Sequence, residues 1–178
     1  MLSDRKLFWV IMAFLGIMFI RNETRMDRLE DQIDTLNAII QTKESVKYTQ
    51  NDLECLTKNI YWEAATEPFE GKVAVAQVTM NRVDTGRFGK DVCGVVYKRD
   101  NILGTIVCQF SWACTNVTKV KPVYPGLWKE SEEVAKKVLL ENFRLPSMKE
   151  ALYYHADYIN PGWRREKVAK IGHHIFYK

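Results

Sequence analysis

The chain has 178 residues, of which 47% are hydrophobic, and a formal net charge of +4. These values are typical of a compact domain and exclude a disordered chain, a collagen and a protein with several membrane spans. The sequence also has no internal repeat, which excludes a solenoid or a propeller.

An apolar run from Leu7 to Ile20 stands near the start of the chain, between Lys6 and Arg21. A helix over this run is about 21 Å long, which is shorter than the roughly 30 Å hydrocarbon core of a bilayer. No small-residue cleavage site of the A-x-A type follows it. We expect residues 1–21 to form an uncleaved membrane anchor; the alternatives are a cleaved signal peptide and a buried soluble helix.

Residues 22–50 are expected to form a spacer and a linker. Their apolar residues recur at intervals of three and four, the a/d pattern of about two heptads. These residues are Met26, Leu29, Ile33, Leu36 and Ile40. A helix of two heptads is marginal in water, so the pattern predicts either a weak dimer through Met26–Ile40 or a frayed spacer. Residues 51–178 then form the expected folded domain.

All four cysteines follow the apolar run, and none belongs to a C-x-x-C pair: Cys55, Cys93, Cys108 and Cys114. An even number of cysteines without such a pair is typical of disulfides formed in an oxidising compartment. Two disulfides with three alternative connectivities are predicted. Four reduced, buried thiols are the alternative.

A helix is predicted to follow the linker and to end near Glu67, because Pro68 cannot continue it. Asn51 or Asp52 is expected to cap its start, with Glu54 as the capping-box partner. Four apolar residues at helical spacing form its buried stripe: Leu53, Leu56, Ile60 and Ala64. A second helix, predicted over about residues 69–83, is rich in small side chains and is expected to be the central buried helix.

Glu63 falls at the edge of the apolar stripe, in the last turn of the first of these helices. Partial burial and the negative end of the helix dipole both raise the pKa of a carboxyl group. A carboxylic acid that stays protonated near neutral pH can act as a general acid. The alternative is a glutamate that simply reaches water beside the stripe.

Five sequence blocks occupy most of the predicted domain, at residues 59–83, 92–97, 109–112, 151–156 and 171–177. The first opens with N-I-Y-W-E-A, and the others read V-C-G-V-V-Y, Q-F-S-W, A-L-Y-Y-H-A and I-G-H-H-I-F-Y. In this order they resemble the SleB-type cell wall hydrolases, the spore cortex-lytic family. Ala65 and Thr66 depart from the family's usual Arg-Gly, and His173 replaces its usual Asn.

The resemblance implies a mainly α (α+β) fold. It implies a lysozyme-like helical catalytic domain with a small C-terminal β-hairpin lobe, preceded here by the N-terminal membrane anchor helix. It further implies cleavage of the MurNAc-GlcNAc backbone of peptidoglycan, by a lytic transglycosylase or a muramidase-like glycosidase, with Glu63 as general acid/base. A hydrolase would also need a second carboxylate, for which the candidates are Glu67, Glu70 and Asp157. No cofactor and no metal ion are expected.

Six residues are candidates for substrate binding: Gln109, Ser111, Trp112, Tyr154, His155 and His174. Their amide, hydroxyl, indole and imidazole groups are of the kind that bind N-acetyl sugars. Without the resemblance, Q-F-S-W is more simply explained as core plus a turn. The turn residues Asn160-Pro161-Gly162 and the strand composition of residues 171–177 predict the hairpin. Strand alternation places Tyr154 on one face, and Tyr153 and His155 on the other.

Two other functions stay open on sequence grounds. The Ala65-Thr66 departure favours a catalytically inactive peptidoglycan-binding scaffold, and three histidines could hold zinc in a peptidoglycan amidase, although no H-E-x-x-H motif is present. The expected partners are peptidoglycan glycan strands and the membrane through Leu7–Ile20, but not nucleic acid, since no basic stripe is interleaved with aromatics. The domain is expected on the extracytoplasmic side, or secreted if the N-terminal segment is cleaved.

Overall fold

A computed structural model describes residues 4–44, 48–115 and 122–178 of the chain. The chain divides into two compact units, residues 1–47 and 48–178. The first unit is one helix, α1 (Asp4–Glu44), which runs without a break through the predicted boundary at residue 21.

The structure does not support the membrane anchor expected at Leu7–Ile20. Among the described residues, no helix carries an apolar stretch long enough to cross a bilayer. The physical reason is that the apolar part of α1 is short and gives way to charged residues within the same helix.

The weak dimer expected through Met26–Ile40 is likewise not supported. Met26, Leu29, Ile33 and Leu36 are exposed along α1. The side chain of Ile40 lies outside the described residues.

Within residues 48–115 and 122–178, the second unit contains four helices, two short 3-10 turns and two small sheets. The helices are α2 (Gln50–Ala64), α3 (Phe69–Thr85), α4 (Val92–Val96) and α5 (Pro125–Leu140). The strands are β1 (Arg99–Ile102), β2 (Thr105–Cys108), β3 (Tyr153–Ala156), β4 (Lys167–Ile171) and β5 (His174–Tyr177). The 3-10 turns are Ser111–Cys114 and Pro146–Met148. This arrangement is the mainly helical α+β fold expected.

Helix α2 starts and ends earlier than predicted. Its N-cap is Thr49, whose hydroxyl accepts from the Asp52 amide at 3.1 Å, while the Asp52 carboxylate accepts from the Thr49 amide at 2.9 Å. The predicted box with Glu54 was therefore wrong, because the reciprocal pair lies two residues nearer the N-terminus. The helix ends at Ala64, whose carbonyl accepts from the Glu67 amide at 3.0 Å in the following turn.

Helix α3 is the central helix, as predicted, and residues 71–80 are all buried. One side of α3 packs with α2, α4 and α5 around Leu56, Ile60 and Met80. The other side packs against the C-terminal sheet through Val75, Val78 and Phe176. Burying these side chains contributes on the order of 2 kcal/mol each.

Two disulfides are formed, which confirms that prediction and rules out the reduced thiols. Cys55–Cys93 connects α2 to α4 across 38 residues, and Cys108–Cys114 connects β2 to the first 3-10 turn across 6 residues.

The C-terminal lobe has three antiparallel strands in the order β3-β5-β4, not a simple hairpin. The predicted strand over residues 171–177 is interrupted by a turn at Gly172 and His173, where Gly172 adopts a φ of 54°. A second hairpin, β1–β2, was not predicted. It turns at Leu103 and Gly104, which both have positive φ as a tight two-residue hairpin loop requires.

Candidate active site

Glu63 lies in the last turn of α2 and is half-buried beneath β3. Its Oε2 atom accepts a hydrogen bond of 2.8 Å from the hydroxyl of Tyr154, the second residue of β3. The structure thus brings the expected catalytic carboxylate together with one of the expected substrate-binding residues.

The pKa of Glu63 is raised above its ordinary value, and desolvation by burial is the main cause. The hydrogen bond from Tyr154 and the positive charge of Arg82 oppose this shift, because both stabilise the ionised carboxylate. Burial, and then the negative charge of Glu63, raise the pKa of Tyr154 well above its ordinary value. Tyr154 therefore remains a hydrogen-bond donor over the whole neutral range.

Arg82 belongs to the same site, although sequence reasoning gave it no role. It is only 6% exposed, and its Nε donates to the carbonyl of Leu152 at 2.9 Å. Its guanidinium lies 5.1 Å from the ring centroids of both Phe88 and Phe110. Burial lowers its pKa. Its Nη1 atom is buried and has no hydrogen-bond partner among the residues described.

Tyr154 and His155 face opposite sides of β3, as strand alternation predicts. Tyr154 packs against His174, with ring centroids 5.2 Å apart. His155 instead makes a 2.9 Å hydrogen bond to the hydroxyl of Tyr177 and stacks on that ring. The structure therefore places His155 in an aromatic cluster with Trp163, away from Glu63.

His174 is close to the site and is 8% exposed. Its Nδ1 atom is buried without a partner in the part of the chain that the structure describes. Burial is the main cause of its lowered pKa, and the negative charge of Glu67 opposes that shift. Burial therefore favours the neutral form of the His174 imidazole.

The Q-F-S-W block lies inside the small disulfide loop, with Gln109 and Phe110 directly after β2 and Ser111 and Trp112 at the start of the first 3-10 turn. Trp112 is buried, and its indole N–H donates to the Asn59 amide oxygen at 3.0 Å, so it packs in the core as the simpler explanation held. Ser111 is exposed. Gln109 is half-buried, and its Oε1 atom has no partner among the described residues.

The candidate second carboxylates are engaged elsewhere or exposed. Glu67 is 8% exposed and accepts from the His173 amide at 2.9 Å, with His173 Nδ1 at 3.1 Å from its other oxygen. Asp157 forms an ion pair with Lys170 at 2.9 Å. Glu70 is exposed in the first turn of α3.

The three histidines do not converge on one point. His155 bonds Tyr177, His173 bonds Glu67, and His174 packs on Tyr154. Within residues 4–44, 48–115 and 122–178, no group of three or more His, Cys, Asp or Glu side chains is arranged to hold a metal ion.

Residues 66–177 match the family model described as Cell Wall Hydrolase. The chain belongs to this family. Its members of the SleB type include the spore cortex-lytic enzyme of Oceanobacillus iheyensis, 32% identical over 135 residues, which cover 74% of this chain and 43% of that protein. The spore cortex-lytic enzyme of Halalkalibacterium halodurans is 29% identical over 149 residues, which cover 82% of this chain and 40% of that protein. The chain thus spans less than half the length of these curated relatives.

Among solved structures, the fold is similar to the catalytic domain of a germination-specific lytic transglycosylase, SleB, from Bacillus anthracis. The TM-score is 0.55 at 29% identity, and the match covers 74% of this chain and 97% of that one. The catalytic domain of the Bacillus cereus SleB protein matches with the same TM-score and identity, over 92% of its length. The cell wall hydrolase fold therefore corresponds to the second unit of this chain.

Two departures from the SleB pattern lie at the end of α2 and in the turn before β5. Ala65 and Thr66 form the exit of α2, with Ala65 at its C-cap in helical conformation and Thr66 exposed. His173 occupies the turn before β5, where its side chain adds a contact to the buried Glu67.

Proposed function

We propose that this chain cleaves the β-1,4 bond between N-acetylmuramic acid and N-acetylglucosamine in peptidoglycan, with Glu63 as general acid/base. The observation that carries the proposal is the half-buried Glu63 carboxyl group, whose pKa is raised by burial and whose Oε2 is held by Tyr154. The similarity to a lytic transglycosylase catalytic domain supports the same reaction.

In the first step, protonated Glu63 gives its proton to the bridging oxygen, and the bond from the muramic acid C1 to that oxygen breaks. The N-acetylglucosamine side leaves as an alcohol, and positive charge develops at C1. Tyr154 donates to the carboxylate that results, and the positive charge of Arg82 also favours it. Both groups therefore make Glu63 a stronger acid in the reacting state.

In the second step, the 6-hydroxyl of the muramic acid attacks C1 and returns its proton to Glu63, which gives a 1,6-anhydro product. We favour this lytic transglycosylase route over hydrolysis because it needs no second carboxylate. Glu67 and Asp157 are bonded to His173 and Lys170 respectively, and neither is free to activate water.

Gln109 and His174 are the proposed contacts to the N-acetyl sugars. Each has a buried polar atom without a partner among the residues described, and a ligand hydroxyl or acetamido group would supply it. Ser111, being exposed, is a further proposed contact. The C-terminal residues 119–178 carry 12 Lys and Arg against 7 Asp and Glu, which favours encounter with an acidic wall polymer. We place the domain, proposed as residues 51–178, on the extracytoplasmic side.

The test is the mass spectrum of muropeptides released from purified sacculi by the full chain and by Glu63→Gln. Glu54→Gln is the matched control, because Glu54 is exposed on the same helix and forms an ion pair with Lys58. We expect anhydro products, lighter than the hydrolytic ones by one water, from wild type and control, and a loss of at least about 100-fold in Glu63→Gln. Equal release by Glu63→Gln would refute the assignment of Glu63. Binding without release by wild type would instead indicate a scaffold protein, and loss of activity in chelator would indicate a zinc enzyme.

A further inference from the structure

Glu67 is bound in a way that its sequence position does not explain. It lies in the turn that follows α2, directly before Pro68, yet its carboxylate reaches the turn between β4 and β5 in the C-terminal lobe. One oxygen accepts from the His173 amide at 2.9 Å, and the other lies 3.1 Å from His173 Nδ1. The side chain is 7% exposed.

Two glycines leave the room that this carboxylate occupies. A Cβ atom at Gly172 would lie 1.8 Å from Glu67 Oε2, and one at Gly71 would lie 2.9 Å from Glu67 Cβ. Gly172 also has a φ of 54°, which other residues adopt at a cost. Gly172 in the turn and Gly71 in α3 therefore both leave space for the Glu67 side chain.

The contacts of Glu67 and Glu63 connect the end of α2 to the C-terminal sheet at two points. The carbonyl of His173 accepts from the Asp157 amide at 2.8 Å, and Asp157 directly follows β3. β3 in turn carries Tyr154, whose hydroxyl binds Glu63, four residues before Glu67. One short segment at the end of α2 thus holds β5 through Glu67 and meets β3 through Glu63.

We propose that Glu67 is a positioning residue for Glu63, and not a second catalytic carboxylate. By holding the Gly172–His173 turn, Glu67 fixes β3 and β5 against the exit of α2 and so sets the Tyr154 hydroxyl on the Glu63 carboxylate. This role rests on the proposed function of Glu63. It also accounts for a buried carboxylate whose two oxygens both face His173.

The deciding comparison is between Glu67→Gln and Glu67→Ala in the full chain. Glutamine keeps an oxygen for the His173 amide, so kcat on sacculi should stay within about threefold of wild type. Alanine removes the contact, and the misplaced Tyr154 should lower kcat by about 100-fold with KM changed less than about twofold. If Glu67→Gln were as inactive as Glu63→Gln, Glu67 would be a reacting group and the proposal would be wrong. Full activity of Glu67→Ala would also overturn it.

Gly172→Ala tests the same contact with the carboxylate chemically intact. Its methyl group would displace Glu67 Oε2, so we expect the kcat loss of Glu67→Ala. In the Glu67→Ala background, Gly172→Ala should add little further loss, because the carboxylate that it displaces is gone. Fully additive losses would show that the two positions do not act through this contact.

Hydrogen exchange at the His173 amide measures the hydrogen bond between this amide and the Glu67 carboxylate, independently of catalytic activity. Exchange should be slow in wild type and Glu67→Gln, and faster in Gly172→Ala and Glu67→Ala, with Glu54→Gln as the unchanged control. An unchanged exchange rate in Gly172→Ala would contradict the proposal. This measurement needs no substrate. A wild-type chain that released no product would therefore refute the proposed function, whereas the exchange rates would still test the contact between Glu67 and His173.

Discussion

The hydroxyl of Tyr154 lies 2.8 Å from Oε2 of Glu63, although the two residues are 91 positions apart in the sequence. This contact joins a strand of the C-terminal lobe to the last turn of α2. It means that the proton affinity of the candidate acid depends on how the lobe packs, and not on α2 alone.

Tyr154→Phe should shift the alkaline limb of the kcat-pH profile to higher pH. The hydroxyl stabilises the ionised carboxylate and lowers the pKa of Glu63, so its removal leaves the raising effect of burial less opposed. We expect kcat to fall about 100-fold, the loss expected for one hydrogen bond to a charged group. Tyr153→Phe is the control, because Tyr153 faces the other side of β3, toward Phe88 and Trp163. A shift to lower pH would contradict the role given to Tyr154.

Glu63→Gln should be more stable than wild type at alkaline pH. Folding raises the pKa of Glu63, so its contribution to stability is full below the unfolded-state pKa and is lost as pH rises through the folded-state pKa. Glutamine does not titrate. Urea denaturation at pH 4 and pH 8 should therefore show that the free energy of unfolding of the variant rises relative to that of wild type as pH rises. A constant difference at both pH values would show that Glu63 is not desolvated on folding.

Gln109→Leu should separate stability from substrate affinity. Leucine removes a buried amide oxygen that has no partner among the described residues, so we expect the free energy of unfolding to rise by about 1 kcal/mol. If Gln109 binds an N-acetyl sugar, KM should rise as well. Calorimetry and sacculus kinetics provide the two measurements, with the exposed Asp84→Asn as control. A destabilised variant with normal KM would indicate a purely structural glutamine.

The two disulfides should differ in what they stabilise. Loop-closure entropy predicts a loss of about 4 kcal/mol without Cys55–Cys93 and about 2 kcal/mol without Cys108–Cys114, because the first closes a longer loop. The smaller loop carries Gln109, so its double serine variant should raise KM more than the larger one does. Urea denaturation and kinetics of the two double variants test this. A greater loss of stability from the six-residue loop would contradict the entropic account.

Arg82→Met should cost about 2–4 kcal/mol of stability. The substitution leaves the Leu152 carbonyl without its 2.9 Å donor and removes a cation held between two aromatic rings. It should also move the alkaline limb of the kcat-pH profile upward, since the Arg82 charge lowers the pKa of Glu63. Arg87→Met, at an exposed position, should change stability by less than about 0.5 kcal/mol. Equal effects of the two variants on stability would contradict the stabilising role given to the buried Arg82.

Local patterns in the sequence were sufficient to predict α2, the central α3 and the position of Glu63 at the edge of an apolar stripe. Periodicity reports which side of a helix is buried, and this requires no knowledge of the partner. The α2 cap was misplaced because Asn51 is by residue type a better capping residue than Thr49, and only the backbone geometry shows that Thr49 is the N-cap.

The parts that were missed depend on contacts distant in sequence. Nothing near Arg82 indicates that it will bond Leu152, 70 positions away. Glu67 was expected at the end of a helix, as a candidate second carboxylate, whereas it is bound by a turn 106 positions away. The β1–β2 hairpin had a local signal in Gly104, but Leu103 at the other turn position hid it, because leucine rarely adopts positive φ. The Gly172 that divides β4 from β5 was a similar signal.

The alternation along β3 has a consequence for protein engineering. Tyr153 and Tyr154 are neighbours in the chain, but Tyr153 belongs to an outer aromatic layer with Trp163, whereas Tyr154 touches the candidate acid. Substitutions in the outer layer that preserve its packing should leave the hydrogen bond from Tyr154 to Glu63 in place. The outer layer is therefore the place to graft new surface properties onto this enzyme fold.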